Sequence, residues 1–359
     1  MQPLPKKRLS SPRLQELLQR GAPLLDVRAP VEYARGAIPG STNLPILSDA
    51  ERERVGKTYK HAGQQAAQEL GHALVSGATK AQRVAGWLAF INAHPEARVM
   101  CWRGGQRSQI AQQWLNDAGR TVERVDGGYK ALRRLCLEIL EKAPLNGKHW
   151  WVVAGRTGVR KTVLINQLAT SIDLEGLAHH RGSAFGAYLE PQPCPASFEN
   201  ALACAYLQHT HRMLVLEDES RTIGRLGLPA NWHAHMQQAP LVLLEADLAE
   251  RVQHIAAEYV TEALRLGEPP DQLQARYSDS LRRISRRLGG ALHARIDTLL
   301  DDAFAGRASH EEWIEALLGG YYDPMYDYQL SRKEARIAFR GSLGEVQEYL
   351  DQQARQYAG

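Results

Sequence analysis

The stretch that decides the fold reads Ala97-Arg98-Val99-Met100-Cys101-Trp102-Arg103-Gly104-Gly105-Gln106-Arg107-Ser108. It opens as a short apolar run, the pattern of a buried strand, and a segment of helical period, Gln109 to Ala118, follows it. A thiol at the end of a strand therefore meets a loop and a helix N-terminus. Inward amides, with Arg103 and Arg107, favour the thiolate, the nucleophilic form of cysteine. Gly104 and Gly105 permit a tight turn and leave room for a ligand. Ser108 completes the candidate anion loop. A lone cysteine is more often an inert core residue. Two arginines and two glycines in the next six residues shift the reading of Cys101 to a catalytic one.

Other stretches extend this pattern. Leu24-Leu25-Asp26-Val27-Arg28 reads as a buried strand ending in a polar pair. Glu32-Tyr33, then Gly36-Ala37-Ile38-Pro39-Gly40-Ser41-Thr42-Asn43-Leu44-Pro45, then Val125-Asp126-Gly127-Gly128-Tyr129 complete the set. Apolar runs alternating with helix-period segments indicate an α/β fold with a parallel sheet. With the Cys101 loop these motifs resemble the rhodanese family over roughly residues 8–140. The resemblance implies a rhodanese-like parallel-sheet domain, expected at 1–142.

A turn-rich linker, Ala143-Pro144-Leu145-Asn146-Gly147-Lys148, precedes a second unit expected at 148–359. His149-Trp150-Trp151-Val152-Val153-Ala154 reads as a buried strand, and Gly155-Arg156-Thr157-Gly158-Val159-Arg160-Lys161-Thr162 leads into a helix. Strand, glycine loop and helix are the context of a P-loop. Gly155, Thr157, Gly158, Lys161 and Thr162 would bind a diphosphate, and the Thr162 hydroxyl could also hold Mg²⁺. The pattern asks for glycine at position 160, where the chain has Arg160. If the loop needs positive φ there, arginine is strained by ~1 kcal/mol or more. Downstream, Met213-Leu214-Val215-Leu216 runs into Glu217-Asp218-Glu219, which places Asp218 as a Mg²⁺-associated carboxylate or, alternatively, in a solvated turn. His180-Arg181-Gly182-Ser183-Ala184-Phe185-Gly186 reads, taken alone, as an ordinary loop; beside the P-loop it offers Arg181 and Ser183 as further diphosphate contacts. A helical C-terminal part is expected over about 248–359 from the three- and four-residue spacing in Leu248–Leu266, Pro270–Leu288 and Leu292–Phe304.

Composition narrows the classes. The chain has 359 residues, 44% hydrophobic and 23% charged, ordinary for a globular protein of two domains. No apolar run approaches the ~20 residues needed to span a bilayer, so no membrane partner is expected. Met1–Arg8 is charged without a following apolar core, unlike a signal peptide. Four cysteines lack CxxC or metal-ligand spacing, which suggests reduced thiols, no structural metal and a cytoplasmic setting. Residues 1–150 carry 23 Lys and Arg against 13 Asp and Glu, while residues 151–359 carry 21 against 27. The basic first half suggests a polyanion such as nucleic acid, or else only a solvated surface.

The combination of Cys-x-Arg-Gly-Gly-x-Arg-Ser with a P-loop unit carrying His-Arg-Gly-Ser-x-Phe-Gly and Glu-Asp-Glu resembles the tRNA 2-selenouridine synthase family. Gly56-Lys57-Thr58-Tyr59-Lys60, Leu70-Gly71-His72-Ala73-Leu74-Val75 and Arg286-Arg287-Leu288-Gly289-Gly290 also fit. The departures are Arg160 and Thr58, where the family often has cysteine. The resemblance implies an enzyme, a transferase acting on the wobble uridine in the anticodon arm of tRNAs for Lys, Glu and Gln. It implies selenophosphate and geranyl diphosphate as co-substrates, with S-geranyl-2-thiouridine formed before selenium replaces sulfur. Arg103, Gly104, Gly105, Arg107 and Ser108 would then bind selenophosphate, and Cys101 would carry the selenium or activate the donor. Arg282, Arg283, Arg286 and Arg287 lie on adjacent helical faces and are candidate tRNA contacts, or else pair with nearby acids. Tyr321, Tyr322, Tyr326 and Tyr328 fit core packing better than base stacking. Two other readings remain open: a rhodanese-type sulfurtransferase with a nucleotide-regulated P-loop domain, and a non-catalytic tRNA-binding module.

Overall fold

The computed structural model describes residues 11–357, so the charged stretch Met1–Arg8 lies outside the described residues. The chain forms two compact units. One runs up to Ala143 and takes in Cys194–Gln208; the other holds Pro144–Pro193 and the chain from His209 onward.

The first unit is built on a four-stranded parallel sheet. Its strands are β1 (Leu24–Asp26), β2 (Ser41–Asn43), β3 (Arg98–Met100) and β4 (Glu123–Arg124), in the order β2-β1-β3-β4. The register aligns Asp26 with Asn43 and with Met100. Cys101 therefore emerges at the carboxyl edge of the sheet, where open α/β sheets place their ligands. Leu25, Val27, Val99, Trp87, Trp114 and Leu115 form the core on which this edge rests. The long helix Asp49–Leu74 begins with a capping box of Ser48 and Glu51 and kinks at Gly63.

The single boundary expected near residues 142–148 did not single out the segment Cys194–Gln208. Its helix, Pro195–Gln208, buries Phe198, Leu202, Ala203 and Cys204 in the first unit. Asn200 Nδ2 donates to the Ala37 carbonyl at 2.8 Å and Gln208 Nε2 to the Leu18 carbonyl at 3.1 Å. Arg133 reaches Asn200 Oδ1 at 3.0 Å and pairs with Glu199.

The second unit has strands β5 (His149–Ala154), β6 (Met213–Glu217), β9 (Leu241–Leu244) and β10 (Ile337–Gly341), all parallel, ordered β10-β9-β5-β6. Between β6 and β9, the short strands β7 (Thr222–Ile223) and β8 (Leu226–Gly227) pair as an antiparallel hairpin. Strand β5 is interior and buried from Trp150 to Ala154. A parallel strand covered on both faces must be apolar throughout, which explains its unbroken run. Helices Leu248–Ile255, Pro270–Leu288, Gly290–Phe304 and His310–Leu317 enclose a separate apolar core around Tyr277, Leu281, Leu300 and Trp313. Tyr321 and Tyr322 are buried in that core, while Tyr328 is exposed. The segment expected as one helix from Leu248 to Leu266 has a π-helical turn at Ala256–Thr261. Helix dominates as far as Ser331, and then β10 and the helix Leu343–Tyr357 return to the sheet, with Val346 and Leu350 in its core. With five residues, β10 is too short to stand out against helical periodicity in the sequence.

Candidate functional site

Each unit carries one cluster of the expected residues. In the first, Cys101 is only 3% exposed, and its Sγ lies 3.3 Å from Ser108 Oγ. The Cys101 and Trp102 carbonyls accept the N–H groups of Tyr129 and Lys130, each at 2.9 Å. This close pairing requires Gly128, where a Cβ would stand 2.1 Å from the Cys101 carbonyl oxygen. Helix Gln106–Asp117 starts one residue beyond Gly105 and presents its N-terminus to the loop.

Arg107 is fastened to Glu32. Both its terminal nitrogens contact that carboxylate, one of them at 3.1 Å. Burial works against the Arg107 charge, but Glu32 and then Cys101 outweigh it and raise its pKa. Burial likewise pushes the Glu32 carboxyl up, yet Arg107 holds it below the ordinary range. Arg103 is exposed and Gly104 and Gly105 are half-buried, so the loop keeps a solvent-facing side. Arg28 and Asp26 form a fully buried pair beneath it, with Nη2 2.7 Å from Oδ2. Arg28 also donates to the Gly36 carbonyl at 2.8 Å and stacks 4.0 Å from the Tyr129 ring. The polar pair closing β1 is therefore the frame that ties the Gly36 turn to the Gly127–Gly128 turn. Beside the loop lies an apolar pocket of about 590 Å³ including its mouth, lined among others by Ile46, Val55, Ala67, Ile110, Trp114 and Arg107.

In the second unit, Lys161 turns back into the glycine loop and donates to the Gly155 carbonyl at 2.9 Å. Its ammonium stands 5.7 Å from the Tyr326 ring. Thr162 Oγ1 donates to Glu175 Oε2 at 2.9 Å. Arg160 adopts φ 67° and ψ 38°, the left-handed conformation, directly before helix Lys161–Gln167, and is exposed. Arg251, 1% exposed, donates to the Thr157 carbonyl at 3.3 Å and to both Asp323 oxygens at 2.8 and 2.7 Å. It braces the loop from below, and nothing in its amphipathic helix marks it in the sequence.

The acids after β6 separate. Asp218 pairs with Lys333 at 2.5 Å. Glu217 is wholly buried and accepts the Leu174 N–H at 3.1 Å; burial, with Asp173 and Glu175 nearby, raises its pKa well above the ordinary range. Glu219 faces Glu175: burial and that second carboxylate push Glu219 up to about 8. Burial also raises Glu175, against the pull of Lys161 and Thr162. Gly182 closes over the pair at φ +64°, where a Cβ would meet Glu175 Oε1 at 2.3 Å and Glu219 Oε1 at 2.7 Å. The loop His180–Gly186 thus belongs to this cluster. Arg181 and Ser183 have partners of their own: Arg181 lies between the Tyr188 and Tyr259 rings, 4.2 and 4.7 Å away, and 2.7 Å from Glu258. Ser183 Oγ is 3.3 Å from the Tyr259 hydroxyl. Glu175 lay outside the motifs read from sequence, because its role depends on a contact with Thr162.

Arg282, Arg283, Arg286 and Arg287 are all exposed on helix Pro270–Leu288. Arg282 pairs with Asp279 and Arg283 donates to Ser280 Oγ at 2.7 Å. Among the described residues no group of three or more His, Cys, Asp and Glu side chains is arranged to hold a metal ion, and no helix is long and apolar enough to cross a membrane.

Comparison with known proteins matches both units. The family model described as rhodanese-like domain matches residues 10–135, and that described as tRNA 2-selenouridine synthase AAA domain matches residues 148–357. The chain is 44% identical over 353 residues to the tRNA 2-selenouridine synthase of Shewanella sediminis (strain HAW-EB3), covering 94% of this chain and 95% of the relative. Against the protein of the same name from Hahella chejuensis (strain KCTC 2396) identity is 46% over 349 residues, covering 93% and 92%. For that of Bordetella bronchiseptica (strain ATCC BAA-588 / NCTC 13252 / RB50) it is 49% over 346 residues, covering 92% and 94%. With relatives this similar along nearly its full length, and a rhodanese-like unit joined to the matching AAA unit, the chain belongs to the tRNA 2-selenouridine synthase family.

Proposed function

We propose that this protein is a tRNA-modifying transferase that replaces the sulfur of wobble 2-thiouridine with selenium from selenophosphate, through S-geranyl-2-thiouridine made from geranyl diphosphate. Its substrates are the tRNAs for Lys, Glu and Gln, and it works in the cytoplasm. The observation that carries the reading is Cys101, a thiol beside a helix N-terminus at the carboxyl edge of a parallel sheet. Arg103, Gly104, Gly105, Arg107 and Ser108 surround it with donors suited to the phosphate of selenophosphate.

The P-loop unit supplies the other half. Gly155, Thr157, Gly158 and Lys161 receive the diphosphate, with Arg181 and Ser183 next to them. Lys161, which now spends its donors on loop carbonyls, turns to the leaving diphosphate and stabilises the charge that develops there. The thiocarbonyl sulfur takes the geranyl carbon as the carbon–oxygen bond to diphosphate breaks. Mg²⁺ suits hard oxygen donors; Thr162 would hold it, with Asp218 reaching it through water, and it would supply further charge for the diphosphate. Alkylation makes C2 of the base more electrophilic and the sulfur a better leaving group. The selenium of selenophosphate, held at the Cys101 loop, then adds to C2 as geranyl thiol departs, and water cleaves the selenium–phosphorus bond to leave 2-selenouridine and phosphate. The apolar pocket beside the loop supports this reading, because the departing chain is apolar.

The test is mass spectrometry of nucleosides from 2-thiolated tRNA after incubation with the protein, selenophosphate and geranyl diphosphate. The expected products are S-geranyl-2-thiouridine without selenophosphate and 2-selenouridine with it. Thiosulfate sulfurtransferase activity in the absence of tRNA, with no modified nucleoside, would favour the plain sulfurtransferase instead.

A further inference from the structure

A second cleft in the P-loop unit shares only Ser183 with the diphosphate contacts proposed above. It measures about 1240 Å³ with its open mouth and is lined among others by His180, Tyr188, Gln192, Arg225 and Arg283. Its wall is continuous with the P-loop cluster, because Gly182 lines the cleft and also covers Glu175 and Glu219.

Three features define what fits. The first is unpaired positive charge. Arg225 and Arg283 make no ion pair among the described residues; Arg225 is held by the Gln192 carbonyl at 2.5 Å and Arg283 by Ser280 Oγ at 2.7 Å. Arg286 and Arg287, exposed on the same helix as Arg283, are likewise without an ion pair among the described residues and extend the charge away from the cleft. The single acid in its lining, Glu190, is 3.7 Å from His179. The second is a rigid aromatic wall: Tyr188 stacks on His179 at 4.5 Å and on the Arg181 guanidinium at 4.2 Å. The third is a neutral donor. His180 Nδ1 accepts the Gly182 N–H at 3.1 Å, so the ring proton stands on Nε2. Burial, then Arg181 and Arg283, lowers the His180 pKa and keeps the ring uncharged. No acceptor among the described residues takes that Nε2 proton.

We propose that this cleft receives one uridine turned out of the tRNA anticodon loop, with Arg225 and Arg283 on its flanking phosphates and His180 donating to a carbonyl oxygen of the base. Backbone charge and a flat polar base edge are both met, which is how unstacked RNA bases are recognised. A cytosine offers an amino donor where uracil offers O4, so His180 discriminates between them. The proposal rests on the function proposed above.

The experiment uses the full chain and an anticodon stem-loop RNA with uridine at the wobble position. Arg225→Ala/Arg283→Ala is expected to weaken binding at least tenfold and to lower the slope of log affinity against log salt by about two. Its affinity for geranyl diphosphate, measured by calorimetry, stays within about twofold because the P-loop is untouched. Arg221→Ala/Arg332→Ala, in the separate cleft that contains both, is the comparison and leaves RNA affinity unchanged. His180→Phe narrows the preference for the uridine stem-loop over its cytidine counterpart by about tenfold. Photo-crosslinking from 4-thiouridine at the wobble position maps to residues 180–192 or 222–225. Wild-type affinity in the first double variant, or cross-links confined to the cleft of Arg221 and Arg332, overturns the proposal while leaving the function intact. A wild-type protein that yields no modified nucleoside and binds no RNA overturns both.

Discussion

Arg160 gives the sharpest physical test of the P-loop. It holds φ 67° and ψ 38° at the turn into helix Lys161–Gln167. For a residue with a Cβ, that conformation costs about 1–2 kcal/mol. Arg160→Gly removes the cost but adds about 0.5–1 kcal/mol of unfolded-chain entropy. The net gain is ~1 kcal/mol. Arg160→Ala is the necessary partner: it removes the charge and keeps the Cβ. The glycine variant should melt about 2–4 °C above the alanine variant, the shift expected of ~1 kcal/mol in a domain of this size. Differential scanning calorimetry reads this directly. Affinity behaves differently. Strain present in both the free and the bound loop cancels from binding, so only the lost cation counts. Because Arg160 is exposed, pyrophosphate should bind both variants equally and at most about fivefold more weakly than wild type. If the glycine variant melts at or below the alanine variant, the left-handed backbone is not what Arg160 costs this loop. If the two variants differ in pyrophosphate affinity, the loop changes conformation on binding and the cancellation fails.

Three further outcomes follow from the sites. Cys101→Ala should abolish 2-selenouridine formation with tRNA affinity unchanged in a gel-shift titration; selenation by this variant would remove the thiol from the mechanism. Lys161→Ala should slow geranyl transfer at least tenfold while tRNA binding holds, read by nucleoside mass spectrometry, since it deletes the cation nearest the leaving diphosphate. Glu219 titrates at about 8 in the folded protein against 4.5 in the unfolded chain. Between those values the native state keeps a proton that the unfolded chain has lost, so this group's stabilisation is full below pH 4.5 and falls away as pH rises through 8. Glu219→Gln should flatten that fall in melting temperature between pH 6 and 8.5, and an unchanged slope would assign the pH dependence to other groups.

Much of the architecture could be read directly from the residues. The runs at Leu24–Asp26, Arg98–Met100 and His149–Ala154 are strands at the expected places. The arginine at position 160 was expected to be strained if the turn needed positive φ, and the backbone there is left-handed. The strand Ile337–Gly341 was missed because five residues carry too little period to compete with the helical pattern around them. Arg181 and Ser183 were expected at the diphosphate from local composition alone. The structure adds that Arg181 is stacked between two tyrosines and paired to Glu258, partners that no local window contains.

The sequence by itself determined the order of the units and the positions of the two glycine loops, because both follow from local chemistry. Buried parallel strands demand apolar runs, and tight loops near bound anions demand glycine next to basic and hydroxyl side chains. Only the tertiary structure decided which charges meet. Glu32 and Arg107 are 75 residues apart, and Arg251 and Asp323 are 72 apart. Tertiary packing likewise set Glu175 against Glu219 and gave Cys194–Gln208 to the first unit. A carboxylate's partner and pKa depend on what packing brings within a few ångströms and on how much water it excludes. Neither quantity has a period or a spacing along the chain.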